Sequence, residues 1–84
     1  MAITYDEVWI TTGREIKICQ DSIRAYEREL KTLESRYSIK PDELLKKLKN
    51  NPVLESHEAR WYNTYLALKR EEQRLQELET FLKR

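Results

Sequence analysis

Few side chains in this sequence are of the types that perform catalysis or bind metals. The chain has one cysteine, Cys19, one histidine, His57, and one glycine, Gly13. A thiol nucleophile needs a nearby base and donors for an oxyanion, zinc and di-iron sites need ligands at fixed spacing, and phosphate loops need several glycines. The sequence contains no cysteine pair, no H-E-x-x-H and no E-x-x-H. We therefore expect no catalytic residue, no metal ligand and no cofactor, and we interpret Cys19 as a small core residue.

A small basic cluster has two interpretations. It consists of Lys40, Lys46, Lys47 and Lys49. The lysines could contact phosphate groups, or they could form a solvated helix end whose charge complements the helix dipole. Because the formal net charge is only +1, we expect no sequence-independent DNA binding tighter than about micromolar at physiological salt.

Composition favours a single helical domain over residues 1–84. Charged residues make up 37% of the chain and apolar residues 39%, with one glycine and two prolines. Sheet proteins need more turn residues and more β-branched positions than this. A single cysteine, the absence of a basic segment followed by an apolar run at the start, and the absence of a long apolar stretch predict a cytoplasmic protein without membrane contact.

One long helix is predicted between Tyr5 and Tyr37. Large or apolar side chains recur there at intervals typical of a heptad seam; they are Tyr5, Trp9, Ile16, Cys19, Ile23, Tyr26, Leu30, Leu33 and Tyr37. Thr4 and Glu7 have the spacing of a capping box. Gly13 follows two threonines, so the pattern leaves open a kink or break near residues 11–13.

Two further helices are predicted after the first. Pro41 suits the first position of a short helix that ends near Lys49. Ser56 is predicted to be the N-cap of a last helix from about His57 to Lys83. The apolar stripe of that helix is Trp61, Leu68, Leu75 and Leu82. The fold class is therefore all-α: a long antiparallel, coiled-coil-like helical hairpin with a short helix at the turn, assembling into a helical bundle.

Aromatic and large aliphatic residues fall into two groups. Tyr26, Tyr37 and Trp61 lie on the seams and are predicted to be in the core. A second apolar side of the last helix, together with a residue near the start of the first, is predicted to bind a partner. These partner-binding residues are Trp9, Tyr62, Tyr65, Leu66 and Phe81.

The run from Tyr26 to Leu44, YERELKTLESRYSIKPDEL, resembles small helical antitoxins of prokaryotic type II toxin–antitoxin pairs. More narrowly, it is similar to TumA-like antitoxins encoded beside TumE-type toxins. In those proteins a charged helix ends in a tyrosine–glycine pair, and a short helix and a tryptophan-bearing last helix follow. Tyr37 and Trp61 occupy matching places here, with Ser38 at the glycine position. The resemblance covers about residues 24–78 and implies neutralisation of a cognate toxin by protein–protein contact, without catalytic residues.

The predicted function is a non-enzymatic helical interaction module, antitoxin-like, that binds and neutralises a small toxin. It would lay the apolar face of a helix against the working surface of that protein. The alternatives are a self-associating structural coiled-coil dimer without a heterologous partner and a weak nucleic-acid-binding regulator. No small-molecule substrate is expected in any of them.

Overall fold

The structure, a computed structural model, describes residues 5–50 and 52–83, with side chains for residues 8–50 and 52–83. Three helices make up the fold: α1 (Tyr5–Tyr37), α2 (Pro41–Leu48) and α3 (Ser56–Leu82). The long helices α1 and α3 pack antiparallel, and α2 lies between them in the sequence. The molecule measures 52 × 24 × 22 Å. The predicted all-α hairpin with a short helix at its turn is confirmed. The capping box of Thr4 and Glu7 and the seam side chain of Tyr5 lie outside the described residues.

Helix α1 runs without interruption through Gly13. Thr12 beside it is buried, and its hydroxyl donates a hydrogen bond to the backbone carbonyl of Val8 at 2.8 Å. Glycine costs about 1 kcal/mol relative to alanine in a helix interior. Because the seam is covered on both sides of Gly13, at Thr12 and at Cys19, packing against α3 offsets that cost. The alternative in which the first helix breaks near residues 11–13 is therefore wrong.

The end of α1 is a Schellman-type turn centred on Ser38. This residue has a φ of 54°, in the left-handed region that glycine adopts most readily. The backbone N–H of Ile39 donates to the carbonyl of Glu34 at 3.1 Å, and the Ile39 side chain packs against the hydrophobic core. Lys40 then takes an extended conformation before Pro41, with φ −104° and ψ 109°, as expected for a residue that precedes proline.

The start of α3 differs from the prediction by one residue. Glu55 is the N-cap and Ser56 is already the first helical residue, so the assignment of Ser56 as the cap is wrong. The physical reason is a carboxylate at the third helical position: Glu58 Oε1 accepts a hydrogen bond from the backbone N–H of Glu55 at 3.1 Å. This carboxylate satisfies a backbone donor at the helix start, which is the return half of a capping box.

The core is concentrated where the three helices meet. Its buried members are Leu30, Leu33, Leu44, Trp61 and Leu68. Trp61 is the largest of them at 2% exposed, and its indole N–H donates to Glu34 Oε2 at 3.3 Å. This bond matters because a buried ring nitrogen without a partner would be costly. The core assignment of Trp61 is thus confirmed.

Tyr26 and Tyr37 were also predicted to lie in the core, and only Tyr26 does. Tyr26 is partly buried against the core, whereas Tyr37 is 42% exposed, so its placement in the core is wrong. Tyr37 is the last residue of α1, where the backbone turns away from α3. One face of its ring is covered by the imidazole of His57, with the ring centroids 4.6 Å apart.

The register of the hairpin can be followed through two contacts between α1 and α3. Near the closed end, Arg60 Nε lies 3.2 Å from Glu29 Oε1. Ten residues earlier in α1, Cys19 is adjacent to the carboxylate of Glu71. A further ten residues along each helix places Trp9 at the level of Phe81 in the last turn of α3. By this register, Trp9 lies at a level that α3 still reaches.

Candidate interaction surface

Three aromatic rings are stacked along the first half of α3. The ring centroids of Trp61 and Tyr65 are 5.1 Å apart with an interplanar angle of 11°, and those of Tyr62 and Tyr65 are 6.4 Å apart. The ammonium of Lys69 lies 5.4 Å from the centre of the Tyr65 ring, a cation–π distance. The three rings form a continuous surface that begins in the core and ends at solvent.

Two of the predicted partner-binding residues are half-buried at the closed end of the hairpin. Tyr62 and Tyr65 pack against the core cluster together with Leu45 and Leu48 of α2 and Leu54 of the connector. The second apolar side of α3 is therefore covered at the closed end of the hairpin by the chain itself. Sequence patterning identified that side but could not show that its first half packs on the core.

The other three predicted partner-binding residues are exposed. Trp9 is 41% exposed, Leu66 39% and Phe81 49%. Leu66 and Phe81 are 15 positions apart in one helix, so about 22 Å separates them along its axis. The outward positions between them include the exposed residues Arg70 and Gln73. The structure thus keeps Tyr62, Tyr65 and Leu66 together and sets Phe81 apart with Trp9 near the open end.

Sequence reasoning missed three further exposed aliphatic residues. Ile10 is 57% exposed, Ile18 is 63% exposed, and Val53 in the connector is 94% exposed. Ile10 and Ile18 each lie next to a seam-side residue, and their exposure follows from the 3.6-residue period once the buried face is known. Val53 differs from its neighbour Leu54, which packs on the core.

The lone cysteine and the lone histidine lie in different settings. Cys19 is 2% exposed, and burial, followed by the nearby Glu71 carboxylate, raises the pKa of its thiol. A protonated, buried thiol is a poor nucleophile. His57 lies half-buried against Tyr37, with its Nε2 3.5 Å from Glu55 Oε2. Among the described residues, no three His, Cys, Asp or Glu side chains are grouped closely enough to hold a metal ion.

Two of the four lysines in the cluster pair with neighbouring carboxylates. Lys47 Nζ lies 3.2 Å from both carboxylate oxygens of Glu58, and Lys40 Nζ lies 3.9 Å from Glu43. The Glu55 backbone N–H and then Lys47 hold the pKa of Glu58 below its usual value. Lys46 and Lys49 make no ion pair within the part of the chain that the structure describes. This arrangement favours the interpretation of the cluster as a solvated helix end.

One depression at the hairpin junction is bounded by these same groups. It has a volume of about 200 Å³ and is lined by Ser38, Lys40, Glu43, Lys47, Tyr37, Ile39, Leu44, His57 and Glu58. Its cations and carboxylates are already paired with one another. Neither of the two lysines that line the depression is therefore left without a carboxylate partner to bind an anionic ligand.

None of the described helices has an apolar stretch that could cross a bilayer. Comparison of the chain with protein-family models, with curated proteins and with solved structures found no match. The candidate interaction surface therefore consists of the stacked aromatic rings leading to Leu66 on α3 and the exposed side chains of Trp9 and Phe81.

Proposed function

We propose that this chain is a non-enzymatic helical module that acts by binding another small protein. The observation that carries the proposal is the exposure of large apolar side chains on long helices, above all Trp9, Leu66 and Phe81. Tryptophan, tyrosine and other large side chains on a rigid scaffold are frequent anchors of protein interfaces. Half-buried Tyr62 and Tyr65 flank Leu66 and give its surroundings a fixed shape.

The partner class proposed is a small toxin, with this chain as its antitoxin in the cytoplasm. Support comes from the resemblance of the Tyr26–Leu44 run, and of Trp61 in the last helix, to TumA-like antitoxins. An amphipathic helix laid across the working surface of a toxin would block that surface without chemistry in the antitoxin. This mode of action requires exposed helical side chains, and it requires no pocket.

A second candidate is self-association into a structural dimer or a four-helix assembly. The specific observation in its favour is the packing at the open end, where Leu75, Leu78 and Leu82 of α3 are only partly buried. A second copy could cover them, since small helical domains often gain stability by oligomerisation.

The decisive experiment is co-expression with the product of the adjacent reading frame. We expect that product to arrest growth when expressed alone and this chain to restore growth. Sedimentation velocity of the purified pair should show a complex, and Leu66→Asp should weaken it at least about tenfold, because burying a leucine contributes roughly 1.5–3 kcal/mol. Helix content should stay near the wild-type level, since Leu66 lies outside the buried core.

Val53→Asp is the matched control because it places the same carboxylate on an exposed apolar position away from α3. It should leave the complex intact. A wild-type chain that self-associates and ignores the neighbouring product would favour the structural dimer. A chain that stays monomeric at high concentration and binds nothing would refute both candidates.

A further inference from the structure

The outward face of α1 carries a row of exposed side chains, six of which are charged. Eight residues recur there at alternating intervals of four and three, and all are exposed; they are Ile10, Arg14, Lys17, Asp21, Arg24, Arg28, Lys31 and Ser35. This row, called the basic row below, lies opposite the seam that packs on α3. From Arg14 to Lys31 it extends roughly 26 Å along the helix.

The charges of α1 are strongly sorted between its faces. Five of the six basic residues in α1 lie in the basic row, against one of its seven acidic residues, Asp21. The row therefore carries a net charge of +4 in a chain whose total is +1. The net charge of the whole chain does not reveal this concentration of positive charge, because it is confined to one face of α1.

The cations of the basic row have no ionic partners within the described residues. Other basic residues of the hairpin do: Arg60 with Glu29, Lys47 with Glu58, and Lys69 with Glu72. Within the row, Arg24, Arg28 and Lys31 follow one another at intervals of four and three. Like charges at those spacings destabilise a helix, so a surface that supplies carboxylates would relieve the repulsion.

We propose that the basic row binds an acidic helix of a partner protein. The alternating four-and-three spacing is the one by which a second helix stays alongside the first, with charged pairs between the two. Exposed Ile10, at one end of the row, adds an apolar contact. Asp21, in the middle of the row, would repel a phosphate backbone of uniform charge, whereas a peptide can place an uncharged or basic residue opposite it.

This face is separate from the Leu66 and Phe81 side of α3, so the inference goes beyond the proposed function and either can fail alone. The test uses the full chain and a fluorescent synthetic helix of about 20 residues with glutamates at alternating three- and four-residue spacing. The same peptide with glutamine at those positions is the peptide control, and a duplex DNA of about 20 base pairs is the competing polyanion. Fluorescence anisotropy is recorded at about 50 mM and about 300 mM salt.

We expect the glutamate peptide to bind more tightly than either other probe, and more weakly at the higher salt. The variant Arg24→Gln, Arg28→Gln, Lys31→Gln should lower the affinity at least about fivefold. A matched triple variant, Lys46→Gln, Lys49→Gln, Arg70→Gln, removes the same charge from other faces and should change the affinity less than about twofold. Circular dichroism should show the same helix content in all three proteins, because these side chains are exposed.

Equal losses in the two triple variants would overturn the proposal, since they would reflect total charge alone. Tighter binding of the DNA would also overturn it and would assign the row to nucleic acid. A wild-type chain that does not distinguish the glutamate peptide from the glutamine peptide would show that the row is an ordinary solvated face.

Discussion

Ser38 has a backbone conformation that glycine adopts more readily than serine. Its φ of 54° places it in the left-handed region, which costs a residue with a Cβ roughly 1–2 kcal/mol relative to the right-handed region. The turn nevertheless forms, because the hydrogen bond from Ile39 to Glu34 and the packing of Ile39 on the core fix the path of the chain.

Ser38→Gly should raise the free energy of unfolding by about 0.5–1 kcal/mol, because glycine adopts this conformation without the Cβ clash. Urea denaturation followed by circular dichroism measures the change. Ser35→Gly, three residues earlier inside α1, is the matched control and should lower stability by about 0.5 kcal/mol. If both changes destabilise the protein to a similar extent, the positive φ at Ser38 is not retained in solution.

At the scale of the elements, one carboxylate connects the end of α2 to the start of α3. Glu58 accepts from the Glu55 backbone at the start of α3 and also receives the ammonium of Lys47 from the end of α2. These two donors lower the pKa of Glu58 from its ordinary value of 4.5. The contribution of Glu58 to stability is therefore complete above that value and is lost as pH falls through the lower, folded pKa.

Glu58→Gln should destabilise the protein at neutral pH, and the difference from wild type should shrink as the solution is acidified below about pH 4. Thermal unfolding of both proteins across this range tests the sign. Glu27→Gln alters an exposed carboxylate that forms no ion pair within the described residues, and it controls for the general loss of negative charge. A wild-type-to-variant gap that stays constant into acid would show that the Glu58 carboxylate is not held by these donors.

The elements were predictable because their signals are local. Three local patterns predict the helices and their order. They are the heptad seam of α1, the proline at the start of α2, and the apolar residues seven positions apart in α3. Two features depend on tertiary packing and were not predictable: the continuity of α1 through Gly13 and the packing of Tyr62 and Tyr65 against the core. Of the predicted partner-binding residues, Trp9, Leu66 and Phe81 are exposed; that they bind a partner stays a prediction, and the distance between them depends on the register of the hairpin.

For the whole molecule, the elongated shape limits the core. The radius of gyration is 17.2 Å, whereas a compact domain of this length would have about 12 Å. Few residues are fully buried, so each contributes a large part of the total stability, which for small domains is only about 5–15 kcal/mol.

Leu68→Ala should lower the free energy of unfolding by about 2–4 kcal/mol, because Leu68 is 7% exposed and its removal leaves a cavity beside Trp61. Leu66→Ala, two positions earlier, alters a side chain that is 39% exposed and should lower it by less than about 1 kcal/mol. Chemical denaturation of the pair at low protein concentration separates folding from association. Similar losses at the two positions would mean that the face of α3 assigned to the core is incorrect.

The uneven core also determines where the hairpin opens first. Burial is greatest around Trp61 at the closed end, whereas the seam near Leu78 and Leu82 is only partly covered. Amide hydrogens should therefore exchange with solvent soonest in the first turns of α1 and the last turns of α3, through local fraying that leaves the closed end intact. Trp9 and Phe81 lie in this part of the molecule. A protein that binds there would slow the exchange and stabilise the segment of the fold that opens most readily.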